Sequence, residues 1–323
     1  MEIRITLISL IFLFLINACR ENSDSGNNII NPTLGGVYTE IQGNISGTLA
    51  FTDSPFLVVG DISVSANDTL KINAGVTIIF EQNKMLTASG IILAEGTKQK
   101  PISFTSFISN ETTWLGISML NPTGTSVFEF CIIQDVWQIS NDPLTNGAIE
   151  ISGTTVIVKQ CVFRNNGARY GGGLAVFDSN VIIENNIFRD NDAEIYGGAM
   201  FLQNSDAVII NNTIYRNTCF NYGGGVVLRD PLTTEIQNNI FFNNLSFTGD
   251  NRISIVAGDS SNVTEQYNYL AFGSMNPLFI SIDNLHLSSD SPCINEGNPA
   301  SEYNDVNGTR NDQGAFGGPL GDW

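Results

Sequence analysis

Basic residues are scarce in this chain. Lys and Arg together number 14 against 32 Asp and Glu, giving a formal net charge of −18. Nucleic-acid binding draws on a clustered cationic surface that displaces counterions from phosphate, so that class is disfavoured. Charged residues of every kind make up only 14% of the sequence, so polarity comes mainly from Asn, Ser and Thr. The acid is spread too thinly to describe a disordered acidic tail. Histidine occurs once, at His286, and no G-x-S-x-G elbow is present, which leaves a Ser-His-Asp hydrolase without its framework. His286 lies between Leu285 and Leu287 and reads as the exposed face of a strand. The five cysteines include no C-x-x-C pair, so neither a disulfide scaffold nor a zinc site is signalled. No G-x-G-x-x-G or Walker pattern leads into a helix, which removes a phosphate-cradling loop.

What the chain has instead is repetition. TVIVKQCVFRNN (155–166), NVIIENNIFRDN (180–191), AVIINNTIYRNT (207–218) and TEIQNNIFFNN (234–244) align, separated by YGGGLAV, YGGAMFL and YGGGVVL. Tyr170, Tyr196 and Tyr222 recur every 26 residues, a period that means a solenoid. Within each copy the position held by Lys159, Glu184, Asn211 and Gln237 is polar and is expected to face outward. Strand alternation then sends Val158, Ile183, Ile210 and Ile236 inward, with Val156, Val181, Val208 and Thr234 beside them. The next position, Gln160, Asn185, Asn212 and Asn238, is an amide each time. Stacked one coil apart, such amides are expected to bond along the axis as a structural ladder. Cys161, Asn186, Thr213 and Asn239 follow, and Cys131 extends that column. Cys131 and Cys161 are expected as stacked buried thiols, with a disulfide the alternative. The glycine clusters are read as turns that need positive φ or close approach of neighbouring coils.

Residues 43–114 carry short runs rich in Val, Ile, Thr and Phe, each closed by Gly, Asn or Asp, and no amphipathic helix fits them. The order of Leu70, Ile72, Gly75, Val76, Phe80, Leu86, Gly90, Ala94, Gly96, Pro101, Ile102, Phe104, Trp114, Gly116 and Ile117 resembles the opening coils of exported proteins of the pectin-lyase-like superfamily. That resemblance implies an all-β, right-handed parallel β-helix. The glycine clusters, with Phe163/Asn166 and Phe188/Asn191, resemble the GGA[IL] and FxxN repeats of polymorphic outer-membrane proteins, an adhesin family. Tyr215/Asn217 departs from the FxxN spacing by one residue. SPCINEGNPASEYNDVNGTRNDQGAFGG (291–318) resembles the C-terminal region of β-helix proteins of the choice-of-anchor Q type.

At the N-terminus, Arg4 is followed by an apolar run from Ile5 to Ile16, too short to span a bilayer comfortably and suited to a secretory signal. It ends in LINAC, which resembles a bacterial lipobox and implies cleavage before Cys19 and acylation of its thiol, although Asn17 is larger than usual there. No C-terminal sorting signal is read, so the N-terminal lipid is the expected anchor. The organisation expected is a lipoprotein signal peptide (1–18), a polar tether (19–42), a β-helix (43–261), and a terminal coil with a C-terminal capping region (262–323).

Three sets of residues are candidates for chemistry. Arg164, Arg189 and Arg216 are expected in one column near Asp190 and Asp192; the superfamily resemblance implies a lyase base there, and a solvated stripe is the favoured alternative. Asp305, Asn307, Thr309 and Asp312 alternate oxygen donors around Gly308, as loops for hard cations do, so Ca2+ is weighed against a hydrogen-bonded cap loop in which Arg310 pairs with Asp312. Tyr170, Tyr196 and Tyr222 either stack along one edge as an aromatic strip or turn inward over the glycines. The expected function is an exported, lipid-anchored bacterial surface protein, on the outer membrane or cell surface, that presents a binding surface. Its expected partners are carbohydrate or a cell-surface protein. Membrane contact is through the lipid only, and the protein is expected as a monomer. A polysaccharide lyase and a structural envelope protein are the rival readings.

Overall fold

The computed structural model describes residues 38–109, 112–137, 146–248, 250–271 and 275–323. The proposed signal peptide and Cys19 lie outside them. One coil shows how the sequence makes the fold. Thr155–Lys159 is a strand whose alternation buries Val156 and Val158. Gln160 then takes a left-handed conformation (φ 53°) and bends the chain into Val162–Arg164. Asn165 (φ 54°) bends it again, and after Gly167–Tyr170 and the glycines comes Leu174–Phe177. Asp178 (φ 49°) closes the circuit, and Asn180–Glu184 begins the next one. Single left-handed residues therefore turn the corners, and Asn and Asp dominate them because short polar side chains tolerate that region.

Successive coils pair in parallel. Thr155–Lys159 is one of nine strands in a continuous sheet running from Gly47–Leu49 to Val263–Gln266. A second, seventeen-stranded sheet contains the other walls, and Gly167–Tyr170, Asp192–Tyr196, Thr218–Tyr222 and Leu245–Thr248 form a four-stranded lip outside the coil. Among the described residues the only helices are three single 3-10 turns. The result is the expected all-β parallel β-helix, filled by a continuous core that includes Trp114 on Phe80 (centroids 4.0 Å apart) and Phe163 on Phe188 (4.7 Å). Ile253–Ala257, Val263–Gln266 and Tyr269–Leu270 add further coil strands where the sequence pattern fades.

The third repeat is displaced by one residue from its sequence alignment. Asn180 pairs with Asp206, Val181 with Ala207 and Ile183 with Ile209. Ala207 and Ile209 are therefore the inward residues, in place of Val208 and Ile210. Ile210 takes the outward position expected for Asn211. The same shift restores the F-x-x-N spacing, because Ile214 rather than Tyr215 pairs with Phe188, and Asn217 then falls beneath Asn191. The alignment matched the apolar letters of AVII to NVII, whereas the backbone holds the 26-residue spacing set by the corners.

The axial ladder also sits one residue beyond the expected column. Gln160, Asn185, Asn211 and Asn238 are the left-handed corner residues. The residues after them, Cys161, Asn186, Asn212 and Asn239, make the ladder together with Asn268, which follows the left-handed Tyr267. Each backbone N–H of the first four donates to the next side chain: Cys161 N to Asn186 Oδ1 (2.9 Å), Asn186 N to Asn212 Oδ1 (2.9 Å), Asn212 N to Asn239 Oδ1 (2.8 Å) and Asn239 N to Asn268 Oδ1 (2.9 Å). Thr213 lies outside this column, opposite Ile187 and Ile240. A second ladder runs through Asn166, Asn191, Asn217 and Asn244 at the next corner, starting from Val136 N. Asn191 Nδ2 donates both to Asn217 Oδ1 (2.9 Å) and back to Phe163 O (3.0 Å), so the buried amide is satisfied in both directions.

The C-terminal region, expected as a cap, packs along the side of the coil. Asn298 N donates to Asn238 Oδ1, Asn211 Nδ2 to Asp312 O and Gly314 O, Asn185 Nδ2 to Ala315 O and Gly317 O, and Gln160 Nε2 to Leu320 O. Asp322 reaches Lys98 at 2.8 Å. This strap runs back over several coils, using the corner amides as its rungs. Beneath it lies a small second core of Ile187, Tyr215, Leu285 and Ala315, with Phe242, Phe279 and Phe316 packed against it.

The ladder gives a direct stability prediction. Asn191→Ala strips the acceptor from Asn166 N and Asn166 Nδ2 and the donor from Phe163 O, all buried, and each buried orphan costs about 1–3 kcal/mol. We expect denaturant titration to show a loss on the order of 3 kcal/mol. Asn180→Ala, at an exposed position, should change stability by less than about 0.5 kcal/mol.

Candidate functional site

The lip places the three tyrosines in register, Tyr170 opposite Tyr196 and Tyr196 opposite Tyr222, with Thr248 next in line. Glycine makes this possible. A Cβ on Gly172 would come within 2.5 Å of both Asp192 O and Gly198 O, and one on Gly198 within 2.4 Å of Thr218 O and Gly224 O, so only bare backbone lets the lip turns of adjacent coils stack. Of the two arrangements open from sequence, the tyrosines take the stacked one. Ring centroids are 5.8 Å apart for Tyr170 and Tyr196 and 6.0 Å for Tyr196 and Tyr222. Phe201, on the outer side of the adjoining wall, lies against both Tyr170 (5.2 Å) and Tyr196 (5.5 Å) and is buried by them.

Two arginines join the column. Arg229 lies over the Tyr196 ring at 4.9 Å and its Nη2 donates to the Tyr196 hydroxyl at 3.2 Å. Arg169 lies 5.5 Å from the centre of the Tyr170 ring. Sequence reasoning missed Phe201, Arg169 and Arg229. The uniformly apolar run AMFL gives no alternation that sets Phe201 apart, and Arg229 lies in VVLR, 33 residues from Tyr196, where only the coil geometry makes them neighbours.

The arginine column is not as expected. Arg164 pairs with Arg189, but the next residue in line is Tyr215, followed by Phe242. Arg216 is the left-handed corner residue one place on (φ 56°), in the position Asp190 holds in the coil before. The one-residue shift of the third repeat is the cause. Asp190 then lies between two guanidinium groups, its Oδ1 3.1 Å from Arg216 Nε and its Oδ2 3.4 Å from Arg189 Nε. Burial raises the Asp190 pKa above the usual carboxylate range, against the opposing pull of Arg216 and Arg189. Arg189 also donates to Ile282 O and approaches Asp283, and Arg164 Nε donates to Gln134 Oε1. These arginines hold corners and the C-terminal segment together. Asp192 is turned to the next lip strand, where it accepts from the Thr218 hydroxyl.

At the candidate cation loop, Asp305 Oδ1 accepts from Asp312 N and Gly318 N, and its Oδ2 accepts from the Thr309 hydroxyl. Asn307 Oδ1 accepts from Thr309 N and is the nearer of two acceptors, at 2.6 Å, for the single Thr309 hydroxyl proton, and Asp312 Oδ1 accepts from Asn295 N. Asp305 Oδ1, Asn307 Oδ1 and Asp312 Oδ1 thus each face an N–H donor within the C-terminal region, as in the hydrogen-bonded loop weighed against a cation. Arg310 donates to Gly297 O, where the cap-loop alternative had it paired with Asp312. Among the described residues no group of three or more His, Cys, Asp or Glu side chains gathers as a metal site. Cys131, Cys161, Cys219 and Cys293 are free and buried, and Cys161 Sγ accepts from Cys131 N at 3.3 Å, occupying the place of a ladder asparagine. His286 is exposed and its ring stacks on Phe316, with centroids 3.6 Å apart.

The family model described as "right handed beta helix region" matches residues 89–268, more than half of the chain. No curated protein matches this sequence, and no solved structure does.

Two outcomes follow from this chemistry. Burial pushes the Cys219 and Cys293 thiols up to about 12, so native protein at pH 8 should show no rapid reaction with a thiol reagent at these positions, and all thiols should react once it is denatured. Asp305→Ala removes several hydrogen bonds and should cost about 1–3 kcal/mol, equally with calcium and with chelator. A melting temperature of the chelator-treated parent that rises with calcium would instead make Asp305 a ligand.

Proposed function

Because the chain belongs to the right-handed β-helix family, we propose that it is a binding protein whose rigid coil displays the tyrosine column to carbohydrate or to a cell-surface partner, with carbohydrate the reading that the column favours. The supporting observation is the column itself: aromatic rings held in register on the outside of the solenoid, with guanidinium groups of Arg169 and Arg229 among them. Aromatic surface joined to a few polar groups suits ligands that are apolar on one face and hydroxylated at the rim. The lyase alternative draws less support, because Arg189 and Arg216 are committed to Asp190. We further propose export and N-terminal acylation at Cys19, for which the apolar run from Ile5 to Ile16 and the LINAC ending are the support. On this reading the protein sits on the outer membrane or cell surface of a bacterium with a double envelope.

A glycan array and a cell-adherence assay test the binding reading. Bound glycans or cells are expected, with binding reduced at least about tenfold, equivalent to about 1.4 kcal/mol, in the Tyr196→Ala/Tyr222→Ala variant. Formation of unsaturated uronate from pectate or alginate would replace this reading with the enzymatic one. For the anchor, labelling with a fatty-acid analogue should be present in the parent and absent in Cys19→Ser; equal labelling of both would remove Cys19 from that role.

A further inference from the structure

We propose that recognition by the tyrosine column is concentrated in one slot at its open end, over the ring face of Tyr222, and that the slot takes the terminal pyranose of a glycan. This rests on the carbohydrate reading above and names the part of the site that does the work. A pyranose binds an aromatic side chain by laying its C–H face on the electron-rich ring face, so what counts is which faces are free. Tyr170 stacks with Tyr196 at an interplanar angle of 20° and with Phe201 at 29°, and Arg169 lies beside its ring. Tyr196 is engaged by Tyr170, by Phe201 at 15° and by Arg229. The faces of both rings are already spent within the protein. A chain lying along the column would meet little ring face.

Tyr222 differs. Among the described residues its one ring neighbour is Tyr196, tilted by 43°, and it is 39% exposed, while Tyr170 and Tyr196 lie between core and surface. The position in register beyond it holds Thr248, where the period of the column would place a fourth ring. With a small hydroxylated side chain there, no ring among the described residues stands against the outer side of Tyr222, where a fourth member of the column would lie one strand spacing, ~4.8 Å, away. Its edge is polar: the exposed Thr248 hydroxyl donates to Asn221 O at 2.6 Å and lies 3.3 Å from Asn221 Oδ1. A wholly apolar ring would shield these groups without pairing them, whereas the hydroxyl rim of a pyranose can bond to them. A single exposed ring face suits one terminal pyranose rather than a run of sugars.

The test is saturation-transfer NMR on the full chain with the methyl pyranosides of galactose, glucose, mannose and N-acetylglucosamine. Transfer to at least one of them is expected. Thr248→Tyr, which supplies the fourth ring and fills the gap, should abolish it, as should Tyr222→Ala, whereas Tyr222→Phe should keep it. An unchanged melting temperature in Thr248→Tyr separates a filled slot from a damaged fold, and if that variant is unstable, the Tyr222→Ala and Tyr222→Phe pair decides alone. Transfer that survives Tyr222→Ala overturns the slot but leaves carbohydrate binding standing elsewhere on the column. Glycan-array binding of long chains without transfer to any pyranoside also overturns the slot alone. Absence of both signals overturns the slot and the carbohydrate reading together.

Discussion

Buried asparagine side chains bonded along the axis set the geometry on which the coils depend. A backbone that turns a corner inside a stack exposes N–H and C=O groups that no strand partner can reach, and burying them unpaired would cost more than the turn could return. At two corners the solution is an amide in the interior, accepting from an N–H of the preceding coil and donating to a carbonyl of that preceding coil. Because each amide needs its neighbour at one strand spacing, the ladders also fix register. Hydrophobic filling alone would tolerate a slip that the amides do not, and this explains why the third repeat keeps its 26-residue phase although its apolar letters invite a different alignment.

The outer corner amides play a complementary part. Gln160, Asn185, Asn211 and Asn238 point away from the core and bond mainly to the backbone of the returning C-terminal strap. One sequence position thus shapes the corner, and the one after it closes the interior. The arginines first considered for chemistry belong to this same outer support, with Asp190 gripped between two of them and Arg189 reaching Asp283. What remains on the lip for contact with other molecules includes the tyrosine column and its neighbours.

Much of the fold was legible in the sequence because a solenoid writes its period openly. The alternation in VIVK, the recurring tyrosines and the glycine clusters led to a parallel β-helix with the tyrosines in register. The misplacements in the third copy share one physical origin. Val208, Ile210, Asn212, Thr213 and Arg216 were each assigned one place off because the third copy was aligned on hydrophobic letters, when conformation at the corner carries the phase. Phe201 and Arg229 were hidden for another reason: Tyr170 precedes Phe201, and Tyr196 precedes Arg229, by about a full coil, and no local pattern marks a residue on the outer side of a wall as covered. The glycines of the strap specify turns but not the surface on which they lie, so its course along the side of the coil is not written in its sequence.

That strap changes the mechanical character of the protein. In a plain stack each unit touches only its neighbours, so stability is a sum of local terms and the ends can melt one coil at a time. Here a single segment is tied to the coils of Asn238, Asn211, Asn185 and Gln160 in succession, and its last residues reach Lys98, so peeling back any one coil also strains bonds to the others. The chain behaves less like a row of stacked plates than like a spring with a splint along one side. Force applied at one end is carried along the splint as well as through the coils. For a protein held at one point and loaded at another, that is the difference between unravelling and holding.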